Sequence, residues 1–290
     1  MSAAQACCIR FCGIHVRFLF PRPVVLGEEL RHFLCVDPGN VDAQYTVRLL
    51  ERPLTLPASP DHIQRDTELY RTEEGWLRVY TPLITEDGLQ VACLLRPNGD
   101  NELYYPAPMW DFYASALHCT HLIGVESLLL RRDAFLLHSS VVSWQGQAVL
   151  FSGAAFAGKS TQAALWEKHL GARIINGDRC VIRRTENGFI GSGSPWAGTS
   201  GIYRDEQAPI AGIFLVRQSP ENRVQRLGFA AFAPLFTQTL VNSWDQDFME
   251  HITELFQQLL SQVPVYALYC RPDEGAVRVA AQALFGSRDF

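Results

Sequence analysis

Eight consecutive residues near the middle of the chain could bind phosphate. They run Gly153-Ala-Ala-Phe-Ala-Gly158-Lys159-Ser160 and match the pattern G-x-x-x-x-G-K-[ST] at every fixed position. Glycines let the backbone curl so that successive N–H groups face one centre, and a following helix adds its positive dipole end. Lys159 would lie on the β- and γ-phosphates, Ser160 would ligate Mg²⁺, and Thr161 would support the α- and β-phosphates. The pattern therefore predicts a site for ATP with Mg²⁺.

The flanking residues predict the strand–loop–helix setting that this motif needs. The apolar stretch Ala148–Phe151 predicts a strand before the loop, and Lys159–His169 predicts a helix that stops at Gly171. A chance glycine-rich turn would lack these neighbours. The residues assigned to the nucleotide are Gly153, Ala154, Ala155, Phe156, Ala157, Gly158, Lys159, Ser160 and Thr161.

One acid follows the predicted helix at a short distance. The segment Arg173–Asp178 predicts a strand that ends in Asp178, 19 residues after Lys159. A carboxylate at the end of the next strand is where a Mg²⁺ ligand is expected, so Ser160 and Asp178 are the predicted metal ligands. Aspartate is also common at strand ends as a turn or capping residue, and this interpretation stays open.

Four segments together resemble the HPr kinase/phosphorylase-like family, whose nucleotide-binding fold is related to that of phosphoenolpyruvate carboxykinase. Leu136–Val142 (LLHSSVV) resembles a strand with a histidine ahead of the loop, and Phe151–Thr161 resembles the phosphate loop itself. Ile175–Arg179 (INGDR) falls where relatives carry two adjacent acids. Gly193–Gly201 (GSPWAGTSG) resembles a loop of relatives from modified-peptide biosynthesis.

The resemblance implies a kinase that uses ATP and Mg²⁺ to phosphorylate a hydroxyl. In HPr kinases the acceptor is a protein serine, and in the peptide-pathway relatives it is thought to be a serine of a ribosomal precursor peptide. Other relatives act on free small molecules. A nucleotide-binding switch or scaffold without turnover is the alternative, because one acid of the family is missing here.

That acid is replaced by Gly177, which leaves Asp178 alone. By the resemblance Asp178 is the metal ligand and, with Lys159, a catalytic residue. His138 is then the nearest substitute for the missing base, since a histidine can take a proton from a hydroxyl near neutral pH. Alternatively, no strong base is needed, because phosphoryl transfer depends mainly on positioning and charge neutralisation. A core strand histidine is the competing interpretation of His138.

The predicted loop Gly191–Gly201 is the candidate for acceptor binding. It contains several glycines and hydroxyl residues, and it could bend close to a ligand. Trp196 could cover a substrate, and Arg204 could bind a phosphate or carboxylate. A mobile surface turn and a solvated arginine are the alternatives.

The order of predicted elements favours an α/β chain of two domains. Residues 134–290 form the predicted P-loop domain of the HPr kinase/phosphoenolpyruvate carboxykinase type. Residues 1–133 form a smaller, mostly antiparallel β (α+β) domain for recognition or assembly. Within it, Ile9–Phe20 predicts a first strand, and a helix capped by Asp111 runs to about Arg131. Ala230–Val241 and Asp247–Gln262 predict later helices.

Composition sets the expected environment and partners. The net charge is −5 and there is no run of Lys or Arg, so neither nucleic acid nor an anionic membrane is an expected partner. Arg10, His15 and Arg17 interrupt the first apolar stretch, unlike in a signal peptide. The eight cysteines lack a C-x-x-C pair and are expected to be reduced thiols. We expect a cytoplasmic homo-oligomer that acts on a protein, peptide or small-molecule acceptor.

Overall fold

A computed structural model describes residues 5–286, apart from the side chains of Tyr113 and Leu117, and its chain divides into two compact units. The first comprises the residues up to Leu128 together with Ser243–Asp245. The second comprises Leu129–Asn242 and the residues from Gln246 onward. Each unit holds a multi-stranded sheet with helices, which confirms the mixed α/β class.

The first unit is built on one eight-stranded sheet. Its strands pair in the order β1-β2-β3-β8-β7-β6-β5-β4. Strand β3 runs parallel to both of its neighbours, β2 and β8, and the other pairings are antiparallel. The strands are β1 (Gln5–Phe11), β2 (Ile14–Phe20), β3 (Ala43–Leu50), β4 (His62–Gln64), β5 (Thr67–Arg71), β6 (Trp76–Tyr80), β7 (Ala92–Leu95) and β8 (Asp100–Pro106).

Two predicted elements of this unit are interrupted. The predicted strand Ile9–Phe20 is a hairpin, because Cys12 and Gly13 both adopt positive φ (51° and 75°) and form its two-residue turn. The predicted long helix from Asp111 is three short ones, since Ser115 is extended and Gly124 is left-handed. Asp111 lies in a first turn and caps nothing. The helices are α1 (Glu28–Arg31), α2 (Trp110–Tyr113), α3 (Ala116–Thr120) and α4 (Val125–Leu130).

In the second unit, five strands pair in a closed cycle, β10-β9-β12-β13-β14, because β14 also pairs with β10. β16 and β15 extend the sheet beyond β14, and β11 pairs with β9. The strands are β9 (Ala134–Trp144), β10 (Gln147–Ser152), β11 (Arg173–Asn176), β12 (Arg179–Thr185), β13 (Gly188–Ser192), β14 (Gln207–Gln218), β15 (Arg223–Arg226) and β16 (Val265–Cys270).

Four helices cover the sheet of the second unit, and separate cores form on its two faces. Trp166 and Phe151 lie in one core with residues of the last helix, and Phe135 and Phe256 lie in the other. The predicted helix Ala230–Val241 is shorter, because Pro234 lacks an N–H and fits only in a first turn. The helices are α5 (Lys159–Leu170), α6 (Phe232–Phe236), α7 (Gln246–Gln262) and α8 (Glu274–Phe285).

Strands β10, β14 and β16 run parallel to one another, so their carboxyl ends meet at one edge of the sheet. Such an edge is where α/β sheets bind ligands. Within residues 5–286, no helix combines the length and apolar character needed to cross a membrane.

Candidate functional site

The loop predicted to bind phosphate, Gly153–Ser160 (called the phosphate loop below), connects the carboxyl end of β10 to the first turn of α5. Gly153, Phe156 and Gly158 all have positive φ, of 141°, 62° and 105°. A Cβ atom at Gly153 would lie 3.2 Å from the carbonyl oxygen of Val216 in β14. Glycine is therefore required at Gly153 both by its backbone conformation and by the close approach of β14.

Lys159 lies inside the curve of this loop. Its side-chain Nζ donates to the carbonyl oxygens of Gly153 (3.1 Å) and Ala154 (3.0 Å), and the residue is only 8% exposed. Burial lowers the pKa of Lys159, and the charge of Asp178 opposes this shift. The ammonium group is thus held at the centre of the loop, within electrostatic range of the acid that the sequence singled out.

A cluster of oxygen atoms joins the loop to the strands beside it. Ser160 Oγ lies 3.4 Å from the Gly177 carbonyl oxygen and 3.5 Å from Ser140 Oγ, which itself donates to that carbonyl at 2.7 Å. Ser140 is fully buried in β9 and was not singled out from the sequence. Its position two residues after His138, on the same face of a strand, is the signal that could have identified it.

Each carboxylate oxygen of Asp178 contacts a nitrogen of one neighbouring basic side chain. His138 Nε2 lies 3.1 Å from Asp178 Oδ1, and Arg179 Nε lies 3.1 Å from Oδ2. The β9–β12 register places His138 opposite Arg179, which brings the three side chains together. The hydrogen bond from His138 lowers the pKa of Asp178, and the charge of Arg179 adds to this effect against the opposing effect of burial. The carboxylate therefore stays ionised at neutral pH.

A buried amide that sequence reasoning missed holds the turn at Asp178. Asn176 Oδ1 accepts the backbone N–H groups of Asp178 and Arg179, both at 2.8 Å. Its Nδ2 donates to the carbonyl oxygens of Ser194 (3.0 Å) and Trp196 (3.2 Å). Asn176 thus fixes Asp178 and the following loop together. An asparagine before a glycine at a strand end is a turn signal that could have drawn attention to it.

The Gly193–Gly201 loop lies directly against Asp178. Gly198 has a φ of 55°, and a Cβ atom there would lie 2.6 Å from the carboxyl carbon of Asp178. A Cβ atom at Gly193 would lie 2.0 Å from the carbonyl oxygen of Arg204. These contacts are possible only for glycine, so the loop's glycines bring its backbone next to the acid.

The two predicted acceptor residues, Trp196 in this loop and Arg204 just after it, both contact the protein itself. Trp196 is 7% exposed, and the Arg204 guanidinium donates to the carbonyl oxygen of Ile174 in β11. A ring that covers a substrate would present a face to solvent, whereas Arg204 is half-buried and has further N–H groups besides the one bonded to Ile174. Their roles toward an acceptor stay predictions; Trp196 is buried in this loop, and Arg204 joins the segment after it to β11.

Replacing Trp196 with alanine is expected to lower the free energy of unfolding by about 3 kcal/mol, because a large buried ring is lost. Phe156→Ala is the matched control, since that ring is 95% exposed and its loss should change stability by less than about 0.5 kcal/mol. Denaturant unfolding of both variants measures the difference. Unchanged stability of Trp196→Ala combined with lost phosphotransfer would instead assign the indole to an acceptor.

The residues present fit a magnesium ion that is shared with phosphates. Ser160 Oγ and the Asp178 carboxylate are hard oxygen ligands, and Mg²⁺ commonly binds through one or two carboxylates plus substrate phosphates. Each carboxylate oxygen has two lone pairs, so the bonds from His138 and Arg179 leave Asp178 with further acceptor capacity.

Comparison with known proteins finds no matching family model and no matching curated protein. Among solved structures, 42 chains match. One is the Hpr(Ser) kinase/phosphatase from Coxiella burnetii, at 14% sequence identity and a TM-score of 0.30, covering 52% of this chain and 93% of that one. Similarity at this level does not show that the two chains share a fold or a function.

Proposed function

We propose that this protein is a Mg·ATP-dependent phosphotransferase that transfers the γ-phosphate to a hydroxyl group. The observation that carries the proposal is that the phosphate loop and the His138–Asp178 pair share one site. Ser160 of the loop lies 3.4 Å from the carbonyl oxygen of Gly177, the residue before Asp178. A phosphate group held by the loop would therefore lie beside an ionised acid and a histidine.

Phosphate binding follows from the loop. Its backbone N–H groups, the positive end of the α5 dipole and the ammonium of Lys159 all attract the triphosphate. Ser160 and Asp178 would hold Mg²⁺, which when bound neutralises charge on the β- and γ-phosphate oxygens. Lys159 exchanges its two carbonyl partners, Gly153 and Ala154, for phosphate oxygens.

Transfer requires an acceptor hydroxyl in line with the γ-phosphorus. The hydroxyl oxygen forms a bond to phosphorus while the bond to the β-phosphate oxygen breaks, and ADP leaves with that electron pair. Asp178 accepts the hydrogen of His138 Nε2, which leaves the lone pair on Nδ1 to take the proton of the hydroxyl. The ionised Asp178 also stabilises the imidazolium that results. The His138 side chain is 29% exposed, so an acceptor can reach it.

The acceptor we propose is a serine of a protein or precursor peptide, with a free serine-like molecule as the alternative. A different class of function, a nucleotide-binding switch or scaffold without turnover, is favoured by one observation. Gly177 supplies no second carboxylate, and both oxygens of Asp178 already accept bonds from His138 and Arg179.

The assay that separates these functions incubates the full chain with ATP labelled in its γ-phosphate, with and without Mg²⁺. Serine-containing proteins and peptides are compared with free serine as acceptors. We expect ADP release that depends on Mg²⁺ and label that appears on a hydroxyl of one acceptor class. Tight ATP binding without ADP release or labelled product would contradict the kinase proposal and favour the switch or scaffold.

A further inference from the structure

An open cleft of about 610 Å³ lies beside the phosphate loop, next to the carboxyl ends of β14 and β16. His138 lies in β9, on the other side of β10 in the sheet. A triphosphate on the loop would therefore have its γ end near Asp178 and its α end near this cleft. The lining residues include Phe156, Gln162, Gln218, Pro220, Arg271 and Pro272.

Gln162, which carries a polar atom without a hydrogen-bond partner among the described residues, is one of the residues that line this cleft. The residue is 2% exposed, and its Nε2 donates to Cys270 Sγ at 3.3 Å. Its Oε1 is buried and has no hydrogen-bond partner among the described residues. A buried acceptor left unpaired is costly, and a donor on a bound ligand would remove that cost.

The tip of the phosphate loop supplies a flat apolar wall. The Phe156 ring is 95% exposed, and its backbone has a φ of 62°. Gln218 Nε2 donates to the Phe156 carbonyl oxygen at 3.0 Å, which ties this tip to the end of β14. Pro220 and Pro272 add apolar surface to the same cleft. An exposed aromatic ring beside bound phosphates can stack on a nucleobase.

A second observation shows that the wall formed after β16 is fixed in place. The backbone N–H of Arg271 donates to Asn222 Oδ1 at 2.8 Å, and the Arg271 side chain pairs with Asp273 at 2.9 Å. Asn222 also donates to Asp273 at 2.7 Å. The cleft therefore has ordered walls, and its volume is in the range of small-molecule sites.

We propose that this cleft binds the nucleoside half of the nucleotide, with the base stacked on Phe156 and its exocyclic amine donating to Gln162 Oε1. The inference rests on the proposed function, because the phosphate loop must hold the triphosphate for the base to reach the cleft. It adds to that function a preference for a base that carries an amino group. Neither the loop motif nor Asp178 accounts for such a preference.

Calorimetry on the full chain with Mg²⁺ tests this proposal with three probes: ATP, purine riboside triphosphate and inorganic triphosphate. Purine riboside triphosphate lacks the exocyclic amine of ATP. We expect the wild type to bind ATP about tenfold more tightly than purine riboside triphosphate, as one hydrogen bond would provide. Gln162→Leu should remove this difference and leave the affinity for inorganic triphosphate unchanged. Phe156→Ala should weaken the binding of ATP and of purine riboside triphosphate by a similar factor. Glu167→Gln, exposed on the same helix outside the cleft, is the control.

Two results would overturn the inference and leave the phosphate loop intact. In the first, the wild type binds ATP and inorganic triphosphate with equal affinity. In the second, Gln162→Leu loses affinity for all three probes by the same factor. Failure of all three probes to bind would instead contradict the proposed function. Thermal melting checks the fold of Gln162→Leu. If that variant is unfolded, Gln162→Met replaces it. The wild-type affinities for ATP and purine riboside triphosphate also test the preference for an amino group without any variant.

Discussion

Replacing Lys159 with alanine is expected to weaken Mg·ATP binding by about 10- to 100-fold, as the loss of a hydrogen bond to a charged group would. Phosphoryl transfer should fall further, by about 10²–10³-fold, since one preorganised charge is removed from the γ-phosphate. The reason is positional. Lys159 is almost fully buried, and its Nζ lies where the loop carbonyls of Gly153 and Ala154 curve around it.

The chain offers a matched control for this substitution, because it contains only two lysines, Lys159 and Lys168. Lys168 lies exposed in the same helix, α5, and does not line the cleft. Lys168→Ala should therefore change neither ATP affinity nor transfer. Calorimetry gives the affinity and release of labelled phosphate gives the rate. Unchanged ATP affinity in Lys159→Ala would contradict the nucleotide site and every proposal built on it.

Local sequence was enough to place the phosphate loop between a strand and a helix, because its glycines and its flanking elements act over a few residues. It also predicted a strand after α5 that ends in Asp178, and in the structure this strand ends two residues earlier, at Asn176. Ser140 and Asn176 could not be found this way. Their importance comes from hydrogen bonds to Gly177, Ser194 and Trp196, and those partners are brought close by the sheet and not by sequence spacing.

The errors in the first unit have a similar origin. The predicted helix from Asp111 had an apolar pattern, but it is broken at Gly124, which has a φ of 59° and lies against Arg78 and Leu95. A Cβ atom at Gly124 would lie 2.8 Å from a methyl group of Leu95 and 3.0 Å from Arg78 Nη1. The parallel pairing of β3 is likewise set by partners far away in the chain, Val16 to Leu19 and Asp100 to Pro106. Helical periodicity and turn signals carry no information about such contacts.

The second large effect is expected at His138. If the His138–Asp178 pair takes the acceptor's proton, His138→Ala should lower the rate of transfer by about 10²–10⁴-fold, the usual contribution of a general base. Mg·ATP affinity should change little, because the described contact of the imidazole is with Asp178. Transfer and calorimetry on the same preparation separate these two quantities. A parallel loss of affinity would mean that His138 acts by positioning Asp178 for nucleotide binding.

A carboxylate introduced at position 177 tests the same step by rescue. Gly177 does not have positive φ, so its backbone can accept aspartate. Space is the obstacle, since a Cβ atom there would lie 2.0 Å from Ser200 Oγ and 2.3 Å from Ser200 Cβ. Gly177→Asp alone is therefore expected to distort the Gly193–Gly201 loop. Ser200→Gly opens the space and removes the bond from Ser200 Oγ to the Ala197 carbonyl oxygen.

The decisive comparison adds Gly177→Asp and Ser200→Gly to the His138→Ala background. The new side chain would point toward the loop that Gly198 holds against Asp178, which is the side from which we expect the acceptor. A carboxylate there can take the proton that His138 would have taken, so transfer should recover by about tenfold or more. The matched control is His138→Ala with Ser200→Gly alone, which should stay inactive. The contrary result is a folded triple variant that transfers phosphate no faster than this control, although His138→Ala is as slow as expected. In that case the imidazole acts through Asp178 and not as the base.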